Sequence, residues 1–91
     1  MNRKIAKAVR TAYEKTADCY LEMKDRYMNL EKIIKEKYPY EKYGCTWMNV
    51  FDEKSKELEH DIRVTRHIVI GLKHLMEDAE ECAREEEQKD E

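Results

Sequence analysis

Tyr38-Pro39-Tyr40-Glu41-Lys42-Tyr43-Gly44-Cys45 is the only stretch of this chain that reads as a turn. Pro39 disfavours helix at the residue before it, and Gly44 can adopt a positive φ. On both sides of it the apolar residues recur in heptads, a sharper pattern than that of a generic amphipathic helix. Before the turn, Ala6, Tyr13, Tyr20, Tyr27 and Ile34 take the a positions, and Val9, Thr16, Met23 and Leu30 the d positions. After it, Met48, Ser55, Ile62, Val69, Met76 and Ala83 stand at a, with Phe51, Leu58, Thr65, Leu72 and Ala79 at d. The pattern predicts helix over residues 2–37, a turn over 38–45, helix over 46–86 and a frayed acidic tail over 87–91. Cys45 to Phe51 is also rich in β-favouring residues, and Asp52 is a competent helix N-cap, so a later start at Asp52 is the alternative boundary.

Two long helices joined by a short connection lie antiparallel. The expected fold class is therefore all-α: one long antiparallel two-helix coiled-coil hairpin over residues 1–91, assembled into a four-helix bundle or a higher oligomer. In an antiparallel seam a residues of one helix layer with d residues of the other. A single register satisfies every layer: Ile34 with Phe51, Leu30 with Ser55, Tyr27 with Leu58, Met23 with Ile62, Tyr20 with Thr65, Thr16 with Val69, Tyr13 with Leu72, Val9 with Met76 and Ala6 with Ala79.

Charge placement supports the same topology. Residues 1–15 carry five basic groups and one acidic, whereas residues 77–91 carry two basic and nine acidic. Each sign sits at the unfavourable end of its own helix dipole, and antiparallel docking removes the conflict. It is expected to lay Arg3, Lys4, Lys7 and Arg10 beside Glu77, Asp78, Glu81 and Glu85.

Composition bounds the rest. The chain has 91 residues, of which 43% are charged, with only two Gly and one Pro, so little interrupts regular structure. Sixteen residues are Ile, Val, Leu or Phe, a fraction poor enough to raise the question of disorder. A net charge of only -3, six Tyr, five Met and one Trp argue against it. The longest apolar run, Ile68 to Leu72, is far short of the roughly 20 residues of a membrane span. No apolar stretch follows the basic N-terminus as a secretory signal requires, so a cytoplasmic location is expected. Cys19, Cys45 and Cys82 are odd in number and unrelated in spacing, and read as reduced thiols.

Nothing in the sequence points to catalysis or to a cofactor. His60, His67 and His74 recur every seventh residue, which on a helix separates them by roughly 10.5 Å, too far to share one ion. They also fall at f, opposite the seam, where solvated histidines are the expectation; His74 with Asp78 would be at most half a site. No Ser-His-Asp set, phosphate loop or His-Glu-x-x-His motif is present. The reading is a protein that is not an enzyme and carries no metal. Nucleic acid is a poor fit too, because the basic segment is neutralised in cis and the sequence pI is about 5.7.

Two features exceed what a lone hairpin needs. Beside the seam, Ile5, Ala12 and Cys19 occupy g of the first helix, and Ile68, Leu75 and Cys82 occupy g of the second, with Val64 and Gly71 extending the flank. A two-helix hairpin buries only a and d well, so this edge is expected to be an oligomer interface formed by Ile5, Ala12, Cys19, Val64, Ile68, Gly71 and Leu75. A groove for a different protein is the alternative. Around the turn, Tyr38, Tyr40, Tyr43 and Trp47 stand with Lys37 and Lys42, a composition enriched in binding hot spots. They form either a local cap on the hairpin core or a partner-binding tip.

The string Thr65-Arg66-His67-x-x-x-Gly71-x-x-x-Leu75 resembles a pattern in phage helical-hairpin proteins that sequester cyclic-oligonucleotide immune signals, the anti-CBASS sponges, although Thr here precedes Arg where that family has the reverse order. The resemblance covers about 11 residues. It implies an oligomer with ligand pockets between protomers, using Arg63, Thr65 and Arg66 together with a tyrosine, and a cyclic nucleotide as ligand. The functional expectation is thus a small, oligomeric helical interaction protein, an adaptor or inhibitor of a larger protein of the phage or mobile-element anti-defence kind. A cyclic-nucleotide sponge is the competing class.

Overall fold

The computed structural model describes residues 2–89, with side chains described from Arg3 to Glu87. Helix α1 runs Asn2–Met28, α2 Leu30–Lys37, α3 Tyr40–Tyr43 and α4 Thr46–Lys89. The chain is an all-α antiparallel helical hairpin, with α1 and α2 as one arm and α4 as the other, and no strand occurs among the described residues. The second arm begins at Thr46, so the segment up to Phe51 is helical rather than irregular. It continues as helix to Lys89 where a frayed tail was expected from residue 87; the last two residues of that expected tail lie outside the described ones.

Two local departures from the expected pattern have clear causes. Asn29 separates α1 from α2: at φ -102° and ψ 2° it leaves the helical well, and its side-chain amide donates to the Asp25 carbonyl at 2.9 Å. Asn competes for backbone groups in this way, which is why it sits poorly inside helices. The hydrogen bonding nonetheless carries across, with Ile33 N–H donating to the Asn29 carbonyl at 3.0 Å. Within the turn, Pro39 opens the short α3, and Tyr43 N–H donates back to the Pro39 carbonyl at 2.9 Å. Gly44 ends it at φ 62°, the left-handed region that glycine enters without steric cost.

The contacts group the residues into two compact units. In the first, residues 2–20 pair with residues 65–89. Ala6, Met76 and Ala83 are buried there, and Val9, Tyr13, Thr16, Tyr20, Val69 and Leu72 are half-buried. Thr16, a polar group on the seam, donates its hydroxyl to the Ala12 carbonyl at 2.7 Å. The second unit, Leu21–Val64, buries Leu30 and Ile34 against a seam in which Ser55 is also buried, its hydroxyl donating to the Asp52 carbonyl at 3.0 Å.

Ion pairing fixes the register of the first unit. Beside an Ala6–Ala79 and Val9–Met76 seam, the e positions Arg10 and Glu80 face one another, as do Arg3 and Glu87. Both pairs form: Arg10 Nη2 and Nε each lie 2.7 Å from Glu80 Oε1, and Arg3 pairs with Glu87. Across the hairpin, the acids that meet Arg3 and Arg10 are thus Glu87 and Glu80, not the expected Glu77, Asp78, Glu81 and Glu85, because e faces e across an antiparallel seam. In the second unit Tyr27 O–H donates to Glu59 Oε1 at 2.6 Å, one residue past its expected layer mate Leu58. Met48 departs from the seam: it is exposed, while Trp47, Val50 and Phe51 are half-buried. The indole of Trp47 offers more apolar surface than the thioether of Met48 and holds Lys35 Nζ 4.5 Å above its ring, so the buried face of α4 is rotated at this end.

Candidate functional site

The apolar flank of the first unit is open. Ile5, Ile68 and Leu75 are 53%, 50% and 52% exposed, and Ala12, Cys19 and Gly71 are exposed beside them. The hairpin register brings Ile5 beside Cys82, Ala12 beside Leu75 and Cys19 beside Ile68, so the two g rows form one edge rather than two separate stripes. A Cβ built on Gly71 would meet nothing within 4 Å, so no contact among the described residues explains a glycine in mid-helix. Val64, the remaining residue of the expected interface, belongs to the second unit and is exposed there.

The expected tip is brought together. Tyr38 and Tyr43 meet edge to face, with centroids 5.5 Å apart and planes at 73°. Lysines cover three of the rings: Lys35 over Trp47 at 4.5 Å, Lys37 over Tyr38 at 5.9 Å and Lys42 over Tyr43 at 5.4 Å. Tyr40 stands out from the cluster at 69% exposure. The arrangement combines a cap, through Tyr38 and Trp47, with a projecting ring available to a partner.

The residues implied by the sponge resemblance stand on α4. Arg63 is exposed on the second unit; on the first, Arg66 is exposed while Thr65 is half-buried on the seam. Three surface hollows of the second unit are lined by other residues. One of about 250 Å³, which sequence reasoning missed, lies against Lys24, Tyr27, Met28, Glu59 and Ile62. Its signal was Met28, an apolar residue at an outward b position that is 81% exposed. The Tyr27 hydroxyl is held above its ordinary acidity constant, chiefly because it donates to the Glu59 carboxylate and secondarily through desolvation and the charge of Glu59. A second hollow surrounds the Asn29 break, against Glu22, Asp25, Arg26 and Ile33, and a third lies at Leu30 and Leu58.

All three cysteines are unbridged and exposed. No group of three or more His, Cys, Asp or Glu among the described residues is placed to hold a metal ion, and no helix among them is long and apolar enough to cross a membrane. Comparison with protein families, curated proteins and solved structures gives no match.

Proposed function

We propose that this chain is a non-enzymatic, self-associating helical hairpin that acts by binding, as a cytoplasmic adaptor or inhibitor of a larger protein in phage or mobile-element anti-defence. One observation carries the reading: the flank with Ile5, Ile68 and Leu75 is about half exposed while the chain's own core is thin, with no side chain fully buried among the described residues. Apolar surface of this kind marks association sites. Self-association covers the flank and leaves Tyr38, Tyr40, Tyr43 and Trp47 for a protein partner. Sedimentation equilibrium across the micromolar range tests it: the expected outcome is a mass above that of one chain, and a monomer at every concentration removes the proposal.

The competing reading, a sponge for a cyclic nucleotide, is favoured by the Thr65-Arg66-His67 string and by the exposed guanidinium of Arg66. A thermal-shift series with cyclic dinucleotides and trinucleotides separates the two. Under the sponge reading one of them raises the melting temperature. Under the adaptor reading none does.

A further inference from the structure

We infer that the open flank of the first unit is a homodimer face on which two hairpins stack pointing the same way, α1 of each lying on α4 of the other. The inference rests on the self-association proposed above and adds its geometry. Within one chain the g residues run level in pairs: Ile5 with Cys82, Ala12 with Leu75, Cys19 with Ile68. When a second copy stacks in the same direction, each of these residues meets the one that is its neighbour at home. Ile5 lies on the partner's Cys82, Ala12 on the partner's Leu75, and Cys19 on the partner's Ile68. At every level a large side chain meets a small one, the condition for even packing. Stacking in the opposite direction sets Leu75 on the partner's Leu75 and Ala12 on the partner's Ala12, a bulge beside a gap.

Gly71 gains a reason in this arrangement. It faces Lys15 of the other copy, and the missing Cβ lets the aliphatic stem of that lysine approach the α4 backbone. In the single chain the glycine lowers helix propensity, and a Cβ there would meet no described residue that could offset it. Charge complementarity agrees with a second copy as occupant. On the outer rim of the stack, Lys4 comes level with the partner's Glu81 and close to the partner's Glu85. All of these side chains are exposed in the single chain. A second copy therefore meets the flank with opposite signs at its edges and complementary sizes at its centre.

Single-cysteine cross-linking tests the direction. One chain keeps Cys19 alone, through Cys45→Ser and Cys82→Ser. Its tagged partners replace all three native cysteines with Ser and carry either Ile68→Cys or Ile5→Cys. The chains are mixed, and a short bismaleimide is added. The expected result is a linked product of about twice the 11.1 kDa chain mass with the Ile68→Cys partner, and little with the Ile5→Cys partner. Leu75→Glu is expected to abolish the dimer in sedimentation while far-UV circular dichroism stays helical, since Leu75 is exposed in the single chain. A dimer that links through Ile5→Cys overturns the direction and leaves self-association standing. A dimer that links through neither, or that survives Leu75→Glu, overturns the flank as the face. A monomer throughout overturns the inference together with the self-association it rests on, and reserves the flank for a different protein.

Discussion

The first unit has two flanks equally close to its seam, and they are built on opposite chemistry. On the e side, Arg3 and Arg10 reach across to Glu87 and Glu80 and satisfy one another within the chain. On the g side, Ile5, Ala12 and Cys19 stand exposed beside the exposed Ile68, Leu75 and Cys82. Exposed ion pairs contribute little to stability, while buried apolar area contributes most of it. The difference teaches that beside its apolar seam the hairpin closes one flank with the weaker interaction and leaves apolar area exposed on the other.

Two neighbours in sequence give the largest test of that contrast. Met76 is buried on the seam and Leu75 is exposed on the flank. Met76→Ala should destabilise the fold by about 2–5 kcal/mol at any protein concentration, the usual range for such truncations. For a chain of this size each kcal/mol lowers the melting temperature by about 4–8 °C. Leu75→Ala should leave the melting temperature of dilute protein nearly unchanged and lower it only where association adds stability. Thermal denaturation at two concentrations, followed by circular dichroism, checks both. A concentration-independent loss for Leu75→Ala would mean that the flank serves the single chain.

Gly71→Ala comes next. In the single chain a Cβ at this position meets nothing, so the substitution should stabilise dilute protein by about 0.8–1.0 kcal/mol from helix propensity. If the flank is a close interface, the same methyl group weakens association. Opposite signs in the dilute melting temperature and in the sedimentation constant of dimerisation would sharpen the contrast between the flanks. Matching signs would break it.

The seam was legible because it rests on periodicity, which depends on residue type alone: Ala6, Leu30, Ile34, Met76 and Ala83 are buried where heptads place them. The open flank was legible for the same reason. Positions settled by competition between neighbours were not. Met48 holds a heptad position but yields to Trp47, whose preference depends on Lys35 arriving above it from the other arm. The break at Asn29 depends on one side chain reaching the Asp25 carbonyl, and α3 on how Pro39 and Gly44 place the residues between them. The hollow at Tyr27 and Met28 required knowing that Glu59, rather than Leu58, meets the tyrosine hydroxyl.

Smaller effects belong to the charged and polar contacts. Tyr27 can donate to Glu59 only while protonated, and that bond raises its acidity constant above the ordinary value of 10.0. Its contribution is therefore fully present below pH 10 and is lost as pH rises through the higher folded value. Tyr27→Phe should melt slightly below the parent at neutral pH, and the difference should close in strongly alkaline buffer. A difference that persists there would point to ring packing instead of the hydrogen bond.

The smallest effect is expected on the e flank itself. Arg10 is held above its ordinary acidity constant by the hydrogen bond to Glu80 first and by charge attraction second, so it stays cationic at every pH where the chain folds. Acid or base therefore cannot switch off the arginine, and salt is the discriminating variable. Arg10→Gln removes the charge and the two-pronged donor and leaves a shorter polar side chain. It should lower the melting temperature slightly in dilute buffer, and the difference should vanish near 1 M salt, where the screening length is about 3 Å. Leu75→Ala should respond in the opposite way, because sulfate strengthens apolar association. A salt-resistant loss for Arg10→Gln would show that its aliphatic stem matters more than its charge, and the two flanks would then differ less than their residue types imply.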